Sequence, residues 1–124
     1  VVHSEDGLDE ISIAAPTRVA ELKEGEITEY SVQPEDFGWD AQSLQTLIVT
    51  DAKDSLVLVQ DALSGKNLIA LQMVALNAGA ALYAASAADS LAAGVSMAEE
   101  AVLSGKAADK LAQLVAFSQS LVTD

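Results

Sequence analysis

Ser4-Glu5-Asp6-Gly7-Leu8-Asp9-Glu10 is the stretch on which the reading of the fold turns. It is crowded with carboxylates around one glycine. It follows Val1-Val2-His3 and precedes the apolar alternation Ile11-Ser12-Ile13. Two short β-branched runs around an acidic, glycine-containing segment predict strand, loop, strand. Loops at strand ends are where α/β proteins keep their chemistry. A glycine in such a loop lets the backbone turn with positive φ and lets Asp9 and Glu10 project together. Adjacent carboxylates on a turn suit a hard cation such as Mg²⁺, which takes one or two carboxylates and completes its shell with water and phosphate oxygens. Against this stands the plainer reading: Asp-Gly pairs are ordinary turn formers, and most acidic loops bind nothing.

Downstream, Thr17 to Leu22 and Ile27 to Val32 flank Lys23-Glu24-Gly25-Glu26. A two-residue Glu24-Gly25 turn makes this a β-hairpin. Its register sets Lys23 opposite Glu26, Leu22 opposite Ile27 and Val19 opposite Tyr30, all favourable cross-strand pairs. Pro16 precedes the first arm, where a missing N–H does little harm. Gln33 to Asp40 is a connector whose Phe37 and Trp39 are expected to pin it to the body.

From Ala41 onward the pattern is helical. Asp51 is placed to cap a helix ending near Leu63, with Gly65 as the residue that leaves it. Asn67 to Ala88 carries no charge and no proline and approaches the length of a membrane span. Its alanines, with Gln72, Asn77 and Ser86, and the lack of a flanking Lys/Arg cluster, point instead to a closely buried helix. Ser96-Met97-Ala98-Glu99 has the form of a capping box and predicts a helix start. A last helix is expected from about Ala107 to Val122, with Leu111, Leu114, Val115 and Ser118 on one face. Met73 and Met97 are expected to fill the core.

The 124 residues suffice for one small domain. Six Lys and Arg stand against 19 Asp and Glu, for a net charge of −13. That balance disfavours nucleic acid and anionic membrane surfaces as partners. With no cysteine, disulfides, thiolate chemistry and cysteine zinc sites are out. His3 is the one histidine, so multi-histidine metal sites are out too. No basic-then-apolar leader opens the chain, and Val1-Val2-His3 has the character of a strand met partway, as if the chain began inside a larger protein. Strands first and helices after read as α+β, or as a piece of an α/β domain.

The order of segments is more specific than any one of them. Asp6-Gly7-Leu8-Asp9-Glu10-Ile11-Ser12, Pro16-Thr17-Arg18-Val19-Ala20-Glu21, Pro34-Glu35-Asp36-Phe37-Gly38 and Leu76-Asn77-Ala78-Gly79-Ala80-Ala81-Leu82-Tyr83 follow one another as in the anthranilate phosphoribosyltransferases. The chain resembles the C-terminal part of that family over nearly its whole length. The resemblance implies the α/β fold class: the C-terminal part of a catalytic domain of the nucleoside phosphorylase and phosphoribosyltransferase type. Residues 1–124 would form one segment, with strands, acidic loop and hairpin in 1–40 and helices in 41–124. It implies transfer of the phosphoribosyl group of phosphoribosyl pyrophosphate to anthranilate, a step of tryptophan biosynthesis. It further implies Mg²⁺ as cofactor with Asp9 and Glu10 as its ligands, a homodimer for the full-length protein, and a cytoplasmic location with no membrane or nucleic-acid partner.

The family's glycine-rich phosphate loop and its anthranilate-holding segments have no counterpart in these residues, so this segment alone is not expected to catalyse the reaction. Lys66 to Gln72 also departs from the family, whose members carry a more polar stretch there. Two other readings compete: a non-catalytic binding paralogue of the same fold, and an acidic helical domain whose alanine-rich helix docks a partner.

Overall fold

The computed structural model describes residues 1–121. Three antiparallel strands, β1 (Val2–Ser4), β2 (Thr17–Lys23) and β3 (Glu26–Val32), form a sheet in that order. Short 3-10 turns at Pro34–Phe37 and Leu44–Leu47 lead to four helices: α1 (Ala52–Leu63), α2 (Leu68–Ala84), α3 (Leu91–Leu103) and α4 (Lys106–Ser120). The strands described here pair only antiparallel.

The hairpin has the register its residues dictate, with Lys23 opposite Glu26, Leu22 opposite Ile27 and Val19 opposite Tyr30. Glu24 and Gly25 both take positive φ, 53° and 85°. That is the twist a two-residue connection needs to match its strands. The Leu22–Ile27 pair, however, points to solvent at the hairpin tip.

Ile11-Ser12-Ile13 does not form the second strand its alternation suggests. All three residues are buried, because the segment threads the core instead of lying across it with one face out. Its backbone groups are satisfied outside any ladder: Ser12 N–H donates to Thr17 Oγ1 at 3.0 Å, Ile11 is held by Asn77, and Ile13 O accepts from Gln42 N–H at 2.8 Å.

α1 begins at Asp51, whose side chain accepts from Asp54 N–H at 2.8 Å, and the chain leaves it through Gly65. α3 corrects the expected helix start. Its cap is Ser90, which accepts from Ala93 N–H at 3.1 Å, so Ser96 and Glu99 lie inside the helix and form no capping box. The residues before Ser96 are already helical because Gly94 and Val95 pack on α2. Met73 lies against the core as expected, whereas Met97 is 43% exposed. α4 runs over the expected region, and Val122 lies outside the described residues. Its anticipated apolar face is half-buried only at Leu111, with Leu114, Val115 and Ser118 exposed, and Phe117 is exposed as well.

The core joins the Ile11–Ile13 segment and Val32 to one face each of α2 and α3: Leu71, Ala75 and Leu76, then Val95, Ala98 and Val102. Phe37 and Trp39 pack on it with ring centroids 6.1 Å apart, so the connector is pinned as its aromatics predict. No single helix among the described residues is long and apolar enough to cross a membrane. The uncharged run of α2 packs chiefly against α3 and also against α1.

Candidate functional site

The acidic loop folds back on itself immediately after β1. Ser4 N–H donates to Leu8 O at 2.9 Å, Gly7 N–H to Ser4 O at 3.0 Å, and Glu5 N–H to Pro16 O at 2.9 Å. Gly7 has φ of +95°, the left-handed conformation that glycine adopts without a Cβ penalty. Asp6 closes the loop from inside: its carboxylate accepts from Ser12 Oγ at 2.6 Å and from Leu8 N–H at 3.3 Å. Partial burial opposes the charge on Asp6, but the hydrogen bonds from Ser12, Ser4 and Leu8 outweigh it and hold the carboxyl below its ordinary value. Asp6 is therefore a structural tie of the loop. Glu5 reaches Arg18 at 3.9 Å with both side chains well exposed, a pairing of little energetic weight.

Asp9 and Glu10 follow this closed turn as consecutive exposed residues. They are the two carboxylates of the loop that no protein hydrogen bond or ion pair engages among the described residues. Nor does a third acidic, histidine or cysteine side chain join them there to complete a protein cage for a metal. A donor set of two free carboxylates fits Mg²⁺, which keeps most of its shell for water and phosphate oxygens, and it does not fit a cation that needs many protein ligands.

Behind Glu10 the chain dives into the core. Ile11 N–H donates to Asn77 Oδ1 at 2.9 Å, and Asn77 Nδ2 donates back to Ile11 O at 2.9 Å and to Met73 O at 3.0 Å. One side-chain amide thus does for Ile11 what a neighbouring strand would do. Asn77 stands out in sequence as a polar residue in the middle of an apolar helix, but its partner lies 66 residues away and is not legible there.

A second polar cluster lies on the other arm of the sheet. Tyr83 on α2 donates to Glu21 Oε1 at 2.7 Å, Tyr30 donates to Glu21 Oε2 at 3.0 Å, and Lys23 Nζ donates to the Tyr83 hydroxyl at 3.2 Å. It borders a cleft of about 670 Å³ between β2 and the end of α2, which Asp9 and Glu10 do not line.

The chain matches the Glycosyl transferase family, a/b domain, over residues 1–108. It is 60% identical over 122 residues to the anthranilate phosphoribosyltransferase of Stutzerimonas stutzeri, covering 95% of this chain and 35% of that protein. The Marinomonas sp. enzyme of the same name is 55% identical over 125 residues, covering 99% and 36%. The crystal structure of anthranilate phosphoribosyltransferase from Thermus thermophilus superposes with a TM-score of 0.83 at 36% identity, over 94% of this chain and 34% of that one. The Saccharomyces cerevisiae enzyme in complex with PRPP and Mg has the same fold, with a TM-score of 0.79 at 22% identity over 97% and 35%. The chain therefore spans only 35 to 36% of the length of the two curated relatives.

Proposed function

The chain belongs to the Glycosyl transferase family, a/b domain, and from that premise we propose that residues 1–124 are the C-terminal segment of the α/β domain of an anthranilate phosphoribosyltransferase. The complete protein would move the phosphoribosyl group of phosphoribosyl pyrophosphate to the amino group of anthranilate in tryptophan biosynthesis. The bond from the ribose anomeric carbon to pyrophosphate breaks, a carbon–nitrogen bond forms, and the amine loses a proton. The observation that carries this reading is the similarity to enzymes of that name, at half or more identical residues over nearly the whole chain.

Within this segment the role falls to Asp9 and Glu10, which would hold Mg²⁺ on the face of the closed loop. Held by these two carboxylates, Mg²⁺ would supply positive charge against the departing pyrophosphate. Left without a cation, an acidic loop on a chain of net charge −13 repels a polyphosphate, so the carboxylates favour the substrate only through the metal. They attack nothing; they position charge. The remaining substrate contacts, a homodimeric assembly and a cytoplasmic setting belong to the complete protein. Neither a nucleic acid nor a membrane is among the proposed partners.

In the complete protein, Asp9→Asn combined with Glu10→Gln should raise the Mg²⁺ concentration needed for half-maximal turnover and lower turnover at limiting Mg²⁺. Unchanged turnover at limiting Mg²⁺ would remove Asp9 and Glu10 from the reaction.

A further inference from the structure

We infer that Asn77 is a positioning residue for the Asp9–Glu10 pair, holding the backbone that leaves Glu10 against the core helix α2. The inference rests on the metal reading of that pair. Three observations support it. First, the amide of Asn77 takes both backbone groups of Ile11, each at 2.9 Å, and its remaining donor goes to Met73 O within α2. Both of its N–H groups and its oxygen are thereby used, so the side chain has a single orientation. Second, Ile11 is itself 2% exposed, so the residue after Glu10 cannot swing without dragging its side chain out of the core. Third, the end of the loop before Asp9 is tied as well. Ser4 N–H donates to Leu8 O at 2.9 Å and Leu8 N–H donates to Asp6 Oδ1 at 3.3 Å, while Ser12 Oγ donates across the loop to Asp6 Oδ2 at 2.6 Å.

The two exposed carboxylates therefore sit on a backbone anchored on both sides within a few residues. Two carboxylates on a free loop must be ordered each time a cation binds, whereas two on an anchored loop need only order their side chains. Removing a group that orients metal ligands from behind typically costs about 10- to 100-fold in metal affinity. An asparagine is also a poorer helix former than alanine, so its place amid an Ala/Leu run points to the contact it makes across the fold.

The test uses the complete protein, Mn²⁺ as a paramagnetic substitute for Mg²⁺, and pyrophosphate as the co-ligand. Free Mn²⁺ is followed by electron paramagnetic resonance, and amide hydrogen exchange is measured over residues 5–12. Asn77→Ala and Asn77→Ser should weaken Mn²⁺ binding by about tenfold or more and speed exchange at Ile11. Ser12→Ala, which cuts the other anchor without altering charge, should act in the same direction by less. If Asn77→Ala does not fold, Asn77→Ser carries the test. Folded Asn77 variants that bind Mn²⁺ as tightly as the unaltered protein, while Asp9→Asn binds it more weakly, overturn the positioning role and leave the metal pair standing. Undiminished Mn²⁺ binding by Asp9→Asn with Glu10→Gln overturns the metal reading itself, and the role of Asn77 with it.

Discussion

Gly94 on α3 lies so close to Gly79 on α2 that a Cβ at position 94 would collide with the Gly79 carbonyl oxygen. The approach is reciprocal: a Cβ at position 79 would stand 2.5 Å from Val95 N and 2.6 Å from Val95 Cα. Both clashes are with backbone, which cannot rotate away as a side chain could. The two helices therefore meet main chain to main chain, and the core residues Leu76, Val95 and Ala98 are brought into register around that contact.

Alanine at either glycine is favoured by helix propensity, by about 0.5–1 kcal/mol. The collision outweighs this, since overpacking a closed contact typically costs about 1–3 kcal/mol and at times more. Gly79→Ala and Gly94→Ala are thus expected to lower stability, and chemical denaturation of the complete protein measures it. A gain in stability from either change would show that α2 and α3 separate at no cost.

The polar cluster on the sheet sets two pH limits. Hydrogen bonding from Tyr83, aided by Tyr30 and the Lys23 charge, holds the Glu21 carboxyl below its ordinary value of 4.5. The unfolded chain binds that proton more readily, so the contribution is present above pH 4.5 and is lost as pH falls through the lower folded value. Tyr30 moves the other way, pushed up to about 12 by burial and then by the hydrogen bond to Glu21. Here the folded state holds the proton more tightly. Its contribution is intact below the ordinary tyrosine value of 10.0 and disappears as pH rises through about 12. Ultraviolet titration should find one tyrosine ionising near that upper value, and Tyr30→Phe should remove it. Tyr83→Phe should flatten the acid limb of the stability profile. Unaltered profiles in both variants would dissolve the proposed coupling.

Burial separates two leucines that look alike in sequence. Leu76 is fully buried and Leu114 is 60% exposed. Leu76→Ala is expected to cost about 2–5 kcal/mol, whereas Leu114→Ala should stay within about 0.5 kcal/mol in the 124-residue chain studied alone. In that isolated chain Leu103, Leu114 and Phe117 are exposed together with the Leu22–Ile27 tip of the hairpin. Apolar surface on this scale favours association. The chain alone should bind an apolar dye and self-associate on sedimentation, and Leu114→Glu with Phe117→Lys should reduce both. A dye-silent monomer would mean that these residues find cover within the chain itself.

The hairpin was fully legible because its information is local: a two-residue turn and paired neighbours decide it. The start of α1 at Asp51 and its exit at Gly65 were legible for the same reason. Ser90 and Ser96 show where local signals compete. Both precede helix-compatible residues, and only the contact of Gly94 and Val95 with α2 makes Ser90 the cap. Ile11 to Ile13 carries a strand-like alternation, yet all three residues are buried and their backbone is held by Thr17, Asn77 and Gln42.

The acidic loop divides along the same line. Its turn and its excess of carboxylates are properties of sequence alone, and the resemblance carried by the order of motifs around it is what points to Asp9 and Glu10 as the proposed metal pair. Only the tertiary structure separates the roles of its acids. Asp6 is turned to Ser12, and Asp9 and Glu10 make no hydrogen bond or ion pair among the described residues. The anchor behind them is Asn77, brought across 66 residues by the packing of α2. Turn formation depends on neighbours along the chain, which sequence records. The satisfaction of a buried backbone group depends on whatever the fold brings within about 3 Å, which sequence does not.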